Sequence, residues 1–501
     1  MPVPVPVREG NRVPDAARGC GAPAGLHELT IREAGALIRA GDLTSTELTV
    51  HALDRIERLD PALHAFIHVT GQTALRRAAG ADRDLRAGID RGPMHGIPYA
   101  LKDIIDAEGV PTTSASWLRV SHVAQADSAM EGRLRAGGGV LLGKLTTFEF
   151  AIGGPSFDLP CPPARNPWSE EHVPSGSSSG AGTAVAAGLV RVALASDTSG
   201  SIRGPAFHCG AVGLKPTYGR VSGRGAQVLS FTLDHFGPLA WTVADAAAAL
   251  QVVAGADPAD SRTADVPVPD YVTESARGVT GLRVAHAPGW YADDLATAPE
   301  IVTGIEQALR VLREHGAIVE QVDLPRYEEF NACGRVICAA EAFAVHEEDL
   351  RRHPRSFGRF AYQRIMPGVG VSAADLLRAY QTRRRLTRAL DETVFGTYDV
   401  LITACGQATA ARWTDFGADW PPPRLANDMQ TIPFSVSGHP ALSVPIGFAD
   451  NGLPIGLQAV GRAFGEASVL RVGAAIEAAL GQRHRRPSGP PTVPAESGRT
   501  P

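Results

Sequence analysis

Residues 174–203 constrain the fold more than any other stretch, because two Ser/Gly segments flank a helix and a strand built from small apolar residues. SGSSSG at 175–180 continues into AGTAVAAG at 181–188, whose small side chains allow a helix to pack closely against a sheet. LVRVALA at 189–195 then has the apolar run of a buried strand. DTSGSIR at 197–203 follows the carboxyl end of that strand, where open α/β sheets place their ligands. The stretch therefore predicts an α/β protein with a ligand site near residues 197–203.

The rest of the pattern predicts one large α/β domain. GIPYALKDII at 96–105 and GGVLLG at 138–143 have the composition of short buried strands, and strand and helix signals then alternate through Ala249. No Pro/Ser-rich linker divides residues 26–480. We predict a single domain over 26–480.

The two ends of the chain differ from this domain in composition. Residues 1–25 are rich in Pro, Gly and Arg and lack the continuous apolar segment of a secretory signal. Residues 481–501 have a similar composition. We expect both segments to be disordered tails.

Composition and charge disfavour several classes of partner. The formal net charge of −5 is ordinary for 501 residues, which argues against nucleic acid or an anionic membrane as the main partner. The chain has no run of about 18 apolar residues that would span a membrane. Six cysteines without a C-x-x-C pair indicate reduced thiols in a cytoplasmic protein.

Ser178 lies in a GSSSG match to the G-x-S-x-G nucleophile elbow of α/β-hydrolases. The elbow requires a strand immediately before it, but SEEHVP at 169–174 is polar and ends in proline. No later histidine lies in an evident triad context. We therefore disfavour Ser178 as a nucleophile, and a simple turn remains the alternative for each serine of this segment.

Ser201 is the better candidate nucleophile. Successive N–H groups of a Gly/Ser turn after a strand form an anion-binding nest, which suits a tetrahedral oxyanion. The turn contains Thr198, Ser199, Gly200 and Ser201, so it would place a hydroxyl beside its own oxyanion hole. A phosphate-binding turn is disfavoured, because the chain has neither a Walker lysine nor a G-x-G-x-x-G after a strand.

Lys102 is the candidate base. It lies among the apolar residues of a predicted strand, and burial lowers the pKa of a lysine toward the range of a usable base. The alternative is a lysine at a strand end whose ammonium reaches solvent.

Several ordered motifs together resemble the amidase signature family of serine amidohydrolases. The family has a G-I-P-x-x-x-K-D element, a G-K-T-N-x-x-E element, a P-G-G-S-S-G-G-S block, D-T-G-G-S-I-R and G-L-K-P-T-Y-G-R, followed near the end by G-x-P-A-L-S-V-P and G-L-P-I-G-L-Q. The corresponding segments here are 96–103, 143–149, 174–181, 197–203, 213–220, 438–445 and 452–458. The match lies within 96–250 and 431–461, while 255–430 is variable.

The resemblance implies a fold and a catalytic triad. The fold would be a single large α/β domain with a mixed, mostly parallel twisted central sheet covered by helices on both faces. By motif position, Ser201 would be the nucleophile, Ser177 a bridging serine in a cis peptide bond, and Lys102 the base. The N–H groups of Thr198, Ser199, Gly200 and Ser201 would form the oxyanion hole.

The chain departs from the family pattern at four positions of the two Ser/Gly motifs, 174–181 and 197–203. Ser175, Ser179 and Ser199 replace glycines, and Ala181 replaces a serine. Because the oxyanion donors are main-chain N–H groups, we expect the oxyanion hole to survive the change at Ser199.

The implied activity is hydrolysis of a small aliphatic or aryl carboxamide through an acyl-enzyme, with no metal or cofactor. Residues 255–430, with Phe148, Phe150 and Ser178, would shape the pocket. A carbamate or ester substrate, the glutaminase subunit of a tRNA-dependent amidotransferase, and an inactive binding module are alternatives. The expected partner is a small-molecule substrate rather than nucleic acid or membrane, and a homodimer is an open expectation.

Overall fold

The computed structural model describes residues 25–293, 297–416, 429–481 and 485–487. Apart from Gly25, the predicted N-terminal tail lies outside the described residues, as does the predicted C-terminal tail except for residues 481 and 485–487. Among these last residues, Arg486 stacks over the ring of Trp241 at 3.6 Å and donates to Val185 O at 2.9 Å.

The described strands form one sheet. They are β1 (Phe66–Val69), β2 (Pro98–Lys102), β3 (Val140–Leu145), β4 (Val192–Asp197), β5 (Val212–Lys215), β6 (His235–Ala240), β7 (Arg283–His286), β8 (Ile318–Gln321), β9 (Val400–Ala404), β10 (Ala441–Phe448) and β11 (Pro454–Gly461). Their spatial order is β1-β3-β2-β4-β6-β5-β10-β11-β9-β7-β8.

The described helices surround this sheet. They are α1 (Ile31–Ala40), α2 (Ser45–Leu63), α3 (Gly71–Arg86), α4 (Ala129–Ala136), α5 (Ser179–Ala186), α6 (Arg203–Cys209), α7 (Val243–Val253), α8 (Tyr271–Ser275), α9 (Pro299–Glu314), α10 (Tyr327–Arg352), α11 (Arg359–Ile365), α12 (Ala373–Leu390), α13 (Ile432–Ser437) and α14 (Glu466–Leu480).

Helices cover both faces of the sheet, as expected. Successive side chains of a strand point to opposite faces. On β4, Val192 and Leu194 belong to the core cluster that includes α7, whereas Ala193 and Ala195 belong to the cluster that includes α5. The strand is therefore buried from both sides, which explains its continuous apolar run.

The prediction of a mixed sheet is confirmed, but the prediction that it is mostly parallel is wrong. The parallel pairs are β3–β2, β2–β4, β9–β7 and β7–β8, and the other six neighbouring pairs are antiparallel. Antiparallel pairs dominate the centre because β10 and β11 form a hairpin that inserts between β5 and β9. The Gly- and Pro-broken apolar runs of 431–461 are α13 followed by this hairpin.

The small residues of α5 allow two close approaches. A Cβ at Gly180 would meet the backbone of Thr146, and a Cβ at Gly182 would lie 2.9 Å from Pro205 Cβ and Pro205 O on α6. Because no real Cβ approaches so closely, α5 sits at this depth only with glycine at both positions. This depth fixes the position of Ser177 and Ser178, which immediately precede the helix.

We predict that Gly182→Ala lowers the free energy of unfolding by about 1–3 kcal/mol, the usual cost of overpacking a core. Gly132→Ala in α4 is the matched control, because nothing lies within 4 Å of its added Cβ. That control should stabilise the protein by about 0.5–1 kcal/mol, because alanine is the better helix former. Thermal and urea unfolding measure both effects. Equal midpoints for the two variants would contradict the packing argument.

Candidate active site

The sheet brings the predicted catalytic residues to one edge. Lys102 is the last residue of β2, and Ser201 follows β4 by four residues. Since β2 and β4 are parallel neighbours, their carboxyl ends lie at the same edge of the sheet. Ser177 reaches this edge from the loop before α5.

Lys102 is fully buried and its ammonium nitrogen contacts two hydroxyl groups. Its Nζ donates to Ser177 Oγ at 2.7 Å and to Ser196 Oγ at 2.9 Å. Burial lowers the pKa of Lys102 to about 7, although the charges of Asp234 and Asp197 act in the opposite direction. The neutral amine is therefore accessible near neutral pH.

Ser196 was missed by the sequence analysis. It lies in β4, one residue before Asp197, and its side chain is 2 % exposed. The available signal was a single hydroxyl near the end of an otherwise apolar strand, directly before the candidate turn. A hydroxyl there accepts a hydrogen bond from the amine of Lys102, which leaves the amine lone pair available for Ser177.

The peptide bond between Gly176 and Ser177 is cis, as the resemblance implied. The carbonyl of Ser177 accepts a hydrogen bond from Phe148 N at 2.9 Å. The Phe148 ring packs against the Cα of Gly176 so closely that a Cβ there would overlap it. Ser175, which replaces a family glycine, adopts the left-handed conformation with φ +65°.

The turn after β4 is built around the carboxylate of Asp197. This carboxylate accepts from Gly200 N at 2.7 Å and from Ile202 N at 3.2 Å. The Gly200 N–H, which the sequence analysis assigned to the oxyanion hole, is directed at Asp197 in this structure. Thr198, Ser199 and Ser201 remain as candidate donors.

Arg203 neutralises Asp197 in the interior. The two side chains are fully buried and form a salt bridge of 2.8 Å. Burial acts to raise the pKa of Asp197, but the charge and hydrogen bonds of Arg203 outweigh it and hold the pKa below its usual range. Arg203 also donates to Thr431 O at 2.8 Å, which connects the turn to α13. Asp197 is thus a permanent carboxylate that shapes the turn.

Ser199 fits its position without the conformational freedom of glycine. Positive φ in this turn occurs at Gly200, with φ +134°, and Ser199 is not among the described positive-φ residues. Thr431 Oγ1 donates to Ser199 O at 2.5 Å and would also clash with a Cβ at Gly200. The glycine that this turn requires is therefore Gly200.

The three predicted pocket residues have different environments. Phe148 is half-buried, beside Ser177. Phe150 is only 2 % exposed and packs against His346, with ring centroids 4.4 Å apart. Ser178 is fully buried and donates to Ser196 O at 3.3 Å. Of the three, only Phe148 has appreciable exposed surface near the candidate site.

The variable region places α10 against α13, the helix that follows the turn contact Thr431. A Cβ at Gly334 of α10 would lie 2.8 Å from Ile432 and Val436 of α13, the helix that begins directly after Thr431.

Arg335 is the next residue along α10. The pKa of Arg364, just before the end of α11, is lowered to about 10 by burial and then by the charge of Arg335. The two guanidinium groups therefore lie within electrostatic reach of each other.

Cys338 of α10 lies within electrostatic reach of Arg364 and of Asp234. Burial raises the pKa of the Cys338 thiol to about 12, and the charge of Asp234 raises it further while that of Arg364 lowers it. Asp234 in turn accepts a hydrogen bond from Thr198. The charges of Arg364 and of Asp234, the hydrogen-bond partner of Thr198, thus act on the same thiol.

The described residues contain no group of three or more His, Cys, Asp or Glu side chains arranged to hold a metal ion. Within the same residues, no helix has both the length and the apolar character needed to cross a membrane.

Comparison with known proteins gives consistent matches along the chain. The family model described as Amidase matches residues 47–470. The chain is 38% identical over 484 residues to the A subunit of glutamyl-tRNA(Gln) amidotransferase from Chloroflexus aurantiacus, covering 92% of this chain and 99% of the relative.

Solved structures share the fold. Peptide amidase from Stenotrophomonas maltophilia superposes with a TM-score of 0.81 at 32% identity, covering 94% of this chain and 100% of the amidase. A bacterial aryl acylamidase of the amidase signature family gives a TM-score of 0.83 at 26% identity, covering 94% of this chain and 100% of the acylamidase.

Proposed function

The chain belongs to the amidase family, whose members cleave amide C–N bonds, and on this premise we propose that it hydrolyses a carboxamide through an acyl-enzyme on Ser201. The observation that supports the proposal best is the buried contact of 2.7 Å between Lys102 Nζ and Ser177 Oγ. A buried lysine with its pKa near neutrality is suited to act as a base.

The mechanism follows from this arrangement. Neutral Lys102 takes the proton of Ser177, Ser177 takes the proton of Ser201, and Ser201 Oγ forms a bond to the substrate carbonyl carbon. The N–H groups of Thr198, Ser199 and Ser201 stabilise the oxyanion. The proton returns through Ser177 to the leaving nitrogen as the C–N bond breaks. Water then hydrolyses the ester by the same proton route.

For the acyl group, the relatives favour glutamine over the small or aryl carboxamide that the sequence analysis places first. The curated relative is the A subunit of a glutamyl-tRNA(Gln) amidotransferase, and the match extends over nearly its whole length. Arg335 follows the α10 residue that packs against α13, and Arg364 lies within electrostatic reach of Arg335; together they would supply positive charge for a substrate carboxylate. On this hypothesis the chain is a glutaminase subunit that works with partner proteins.

A second candidate is an independent amidase for a small aliphatic or aryl carboxamide, with a carbamate or ester as a variant of the same chemistry. The observation in its favour is the fold shared with peptide amidase and aryl acylamidase over 94% of this chain in each case. The half-buried ring of Phe148 beside Ser177 would suit an apolar substrate group.

Cytoplasmic location and oligomeric state are also part of the proposal. The five described cysteines are all free thiols, which agrees with a reducing compartment. A homodimer and a complex with other proteins are distinguished by the mass of the purified assembly.

We predict that Ser201→Ala and Lys102→Ala abolish the acyl-enzyme, lowering kcat by at least about a thousandfold. Ser178→Ala is the control and should retain acylation, because its hydroxyl contacts only backbone in the described structure. Intact-protein mass spectrometry after rapid quenching measures the adduct. Normal turnover of Ser201→Ala would refute the assignment of the nucleophile.

Activity should increase with pH. Because the pKa of Lys102 is lowered to about 7, the amine is neutral above this pH and protonated below it. We predict that kcat/KM falls about tenfold per pH unit below pH 7 and levels off above it. A pH–rate series with chemistry limiting measures this. A flat profile from about pH 5 to 9 would contradict Lys102 as the base.

The two substrate hypotheses are separated by substituting Arg364. If the acyl group is glutamine, Arg364→Met should raise KM for L-glutamine about tenfold or more and leave hydrolysis of an uncharged aryl anilide unchanged. Arg359→Met on the same helix is the control, because its side chain is exposed. Ammonia release and aniline release provide the two measurements. Turnover of the anilide with none of L-glutamine would support the independent amidase instead.

A further inference from the structure

Asp234 is a buried carboxylate in contact with the catalytic turn that no motif of the sequence analysis singled out. It directly precedes β6, and the pairing of Asp197 with His235 places it beside Thr198. Its Oδ1 accepts from Thr198 Oγ1 at 2.6 Å. Its Oδ2 accepts from Leu229 N at 2.9 Å and from Ser230 N at 3.1 Å. The carboxylate therefore joins the turn to the loop 229–234.

The other attachment of this loop is on α10. Glu341 of α10 accepts hydrogen bonds from Ser230 Oγ, from Thr232 N at 3.0 Å and from Thr232 Oγ1 at 2.8 Å. Glu341 is 4 % exposed, so these bonds form away from bulk water. The loop 229–234 thus connects α10, a helix of the variable region, with the turn that supplies the oxyanion donors.

Asp234 also contributes charge to the proton path. Its carboxylate acts to raise the pKa of Lys102, as does the carboxylate of Asp197. Burial raises the pKa of Asp234 itself, while Thr198 and Lys102 act to lower it. The charge of Asp234 also acts on Tyr218, Arg262 and Cys338. Among the groups influenced, Lys102 is the one that contacts Ser177.

We propose that Asp234 is a positioning residue of the amidase reaction, which holds Thr198 of the oxyanion turn through its hydroxyl and keeps a negative charge near Lys102. The inference rests on the proposed function, in which Ser201 is the nucleophile and Lys102 the base. It assigns Asp234 a role in both geometry and proton transfer, beyond that of a buried structural carboxylate.

The test measures the rate at which an alkyl fluorophosphonate labels Ser201 as a function of pH. In this reaction a bond forms between Ser201 Oγ and phosphorus, fluoride leaves, and the serine proton passes through Ser177 to Lys102. The phosphoryl oxygen occupies the oxyanion hole. The probe therefore reports on both functions of Asp234 without knowledge of the substrate.

Asp234→Asn should slow labelling by about tenfold to a hundredfold, because the Thr198 end of the turn loses its fixed acceptor. It should also move the acidic limb of the pH profile to lower pH, because loss of a nearby negative charge makes Lys102 easier to deprotonate. Thr198→Val keeps the carboxylate and removes the hydroxyl, so it should slow labelling by about tenfold without moving the limb.

Asp245→Asn is the matched control. Asp245 is also a buried aspartate that accepts a backbone hydrogen bond, from Ile31 N at 2.7 Å, but its charge is not among those that act on Lys102. For this variant, the acidic limb of the pH profile of labelling should coincide with that of the parent enzyme. An unmoved limb in Asp234→Asn, or an equal shift in Asp245→Asn, would overturn the inference.

Measuring Ser201→Ala in the same series distinguishes failure of the proposed function from failure of the role assigned to Asp234. If Ser201→Ala is still labelled at the parent rate at the same site, the proposed function fails. If it is unlabelled while Asp234→Asn behaves as the parent, only the role of Asp234 fails. Should Asp234→Asn not fold, as judged by circular dichroism and gel filtration, Thr198→Val decides: slower labelling supports the inference and an unchanged rate overturns it.

Discussion

The burial of Lys102 between two serine hydroxyls is the interaction on which the rest of the site depends. A lysine in water has a pKa near 10.4, so roughly one molecule in a few thousand would have a neutral amine at pH 7. Complete burial removes this limitation by lowering the pKa to about 7. The protein keeps the site intact by supplying hydroxyl acceptors at Ser177 and Ser196 rather than a contacting carboxylate. A carboxylate in direct contact would restore the ammonium and remove the base.

Close packing of backbone segments around the sheet makes this arrangement possible. Ser177 reaches Lys102 because α5 packs deeply, and α5 packs deeply because Gly180 and Gly182 leave room for the backbone of neighbouring segments. The turn after β4 is fixed in a comparable way by Asp197, which accepts hydrogen bonds from three backbone N–H groups and is neutralised by Arg203. The reacting groups are therefore positioned mainly by main-chain packing and buried hydrogen bonds, which cost no rearrangement during the reaction.

The sequence predicted those parts of the fold and site that depend on local pattern. Apolar runs indicated β2, β3 and β4, and the ordered motifs indicated Lys102, Ser177 and the cis bond. The antiparallel centre of the sheet was not predicted, because the pairing of β10 with β5 joins segments more than 200 residues apart. Ser196 and Asp234 were missed for a related reason: their roles arise from strand register, which no local pattern reveals. The direction of Gly200 N–H depends on the Asp197 carboxylate and is likewise a property of the folded turn.

The contacts of Arg203 with Thr431 and Gln458 have a consequence for how such an enzyme diversifies. The groups of the proposed proton route precede residue 250, whereas Arg203 donates hydrogen bonds to Thr431, Ser435 and Gln458, which all lie after residue 430. We expect substitutions after residue 430 to change which acyl group fits while the proposed proton route stays as it is. The proposed chemistry and the proposed substrate specificity thus depend on different parts of the chain. Relatives that share one mechanism can therefore act on unlike substrates.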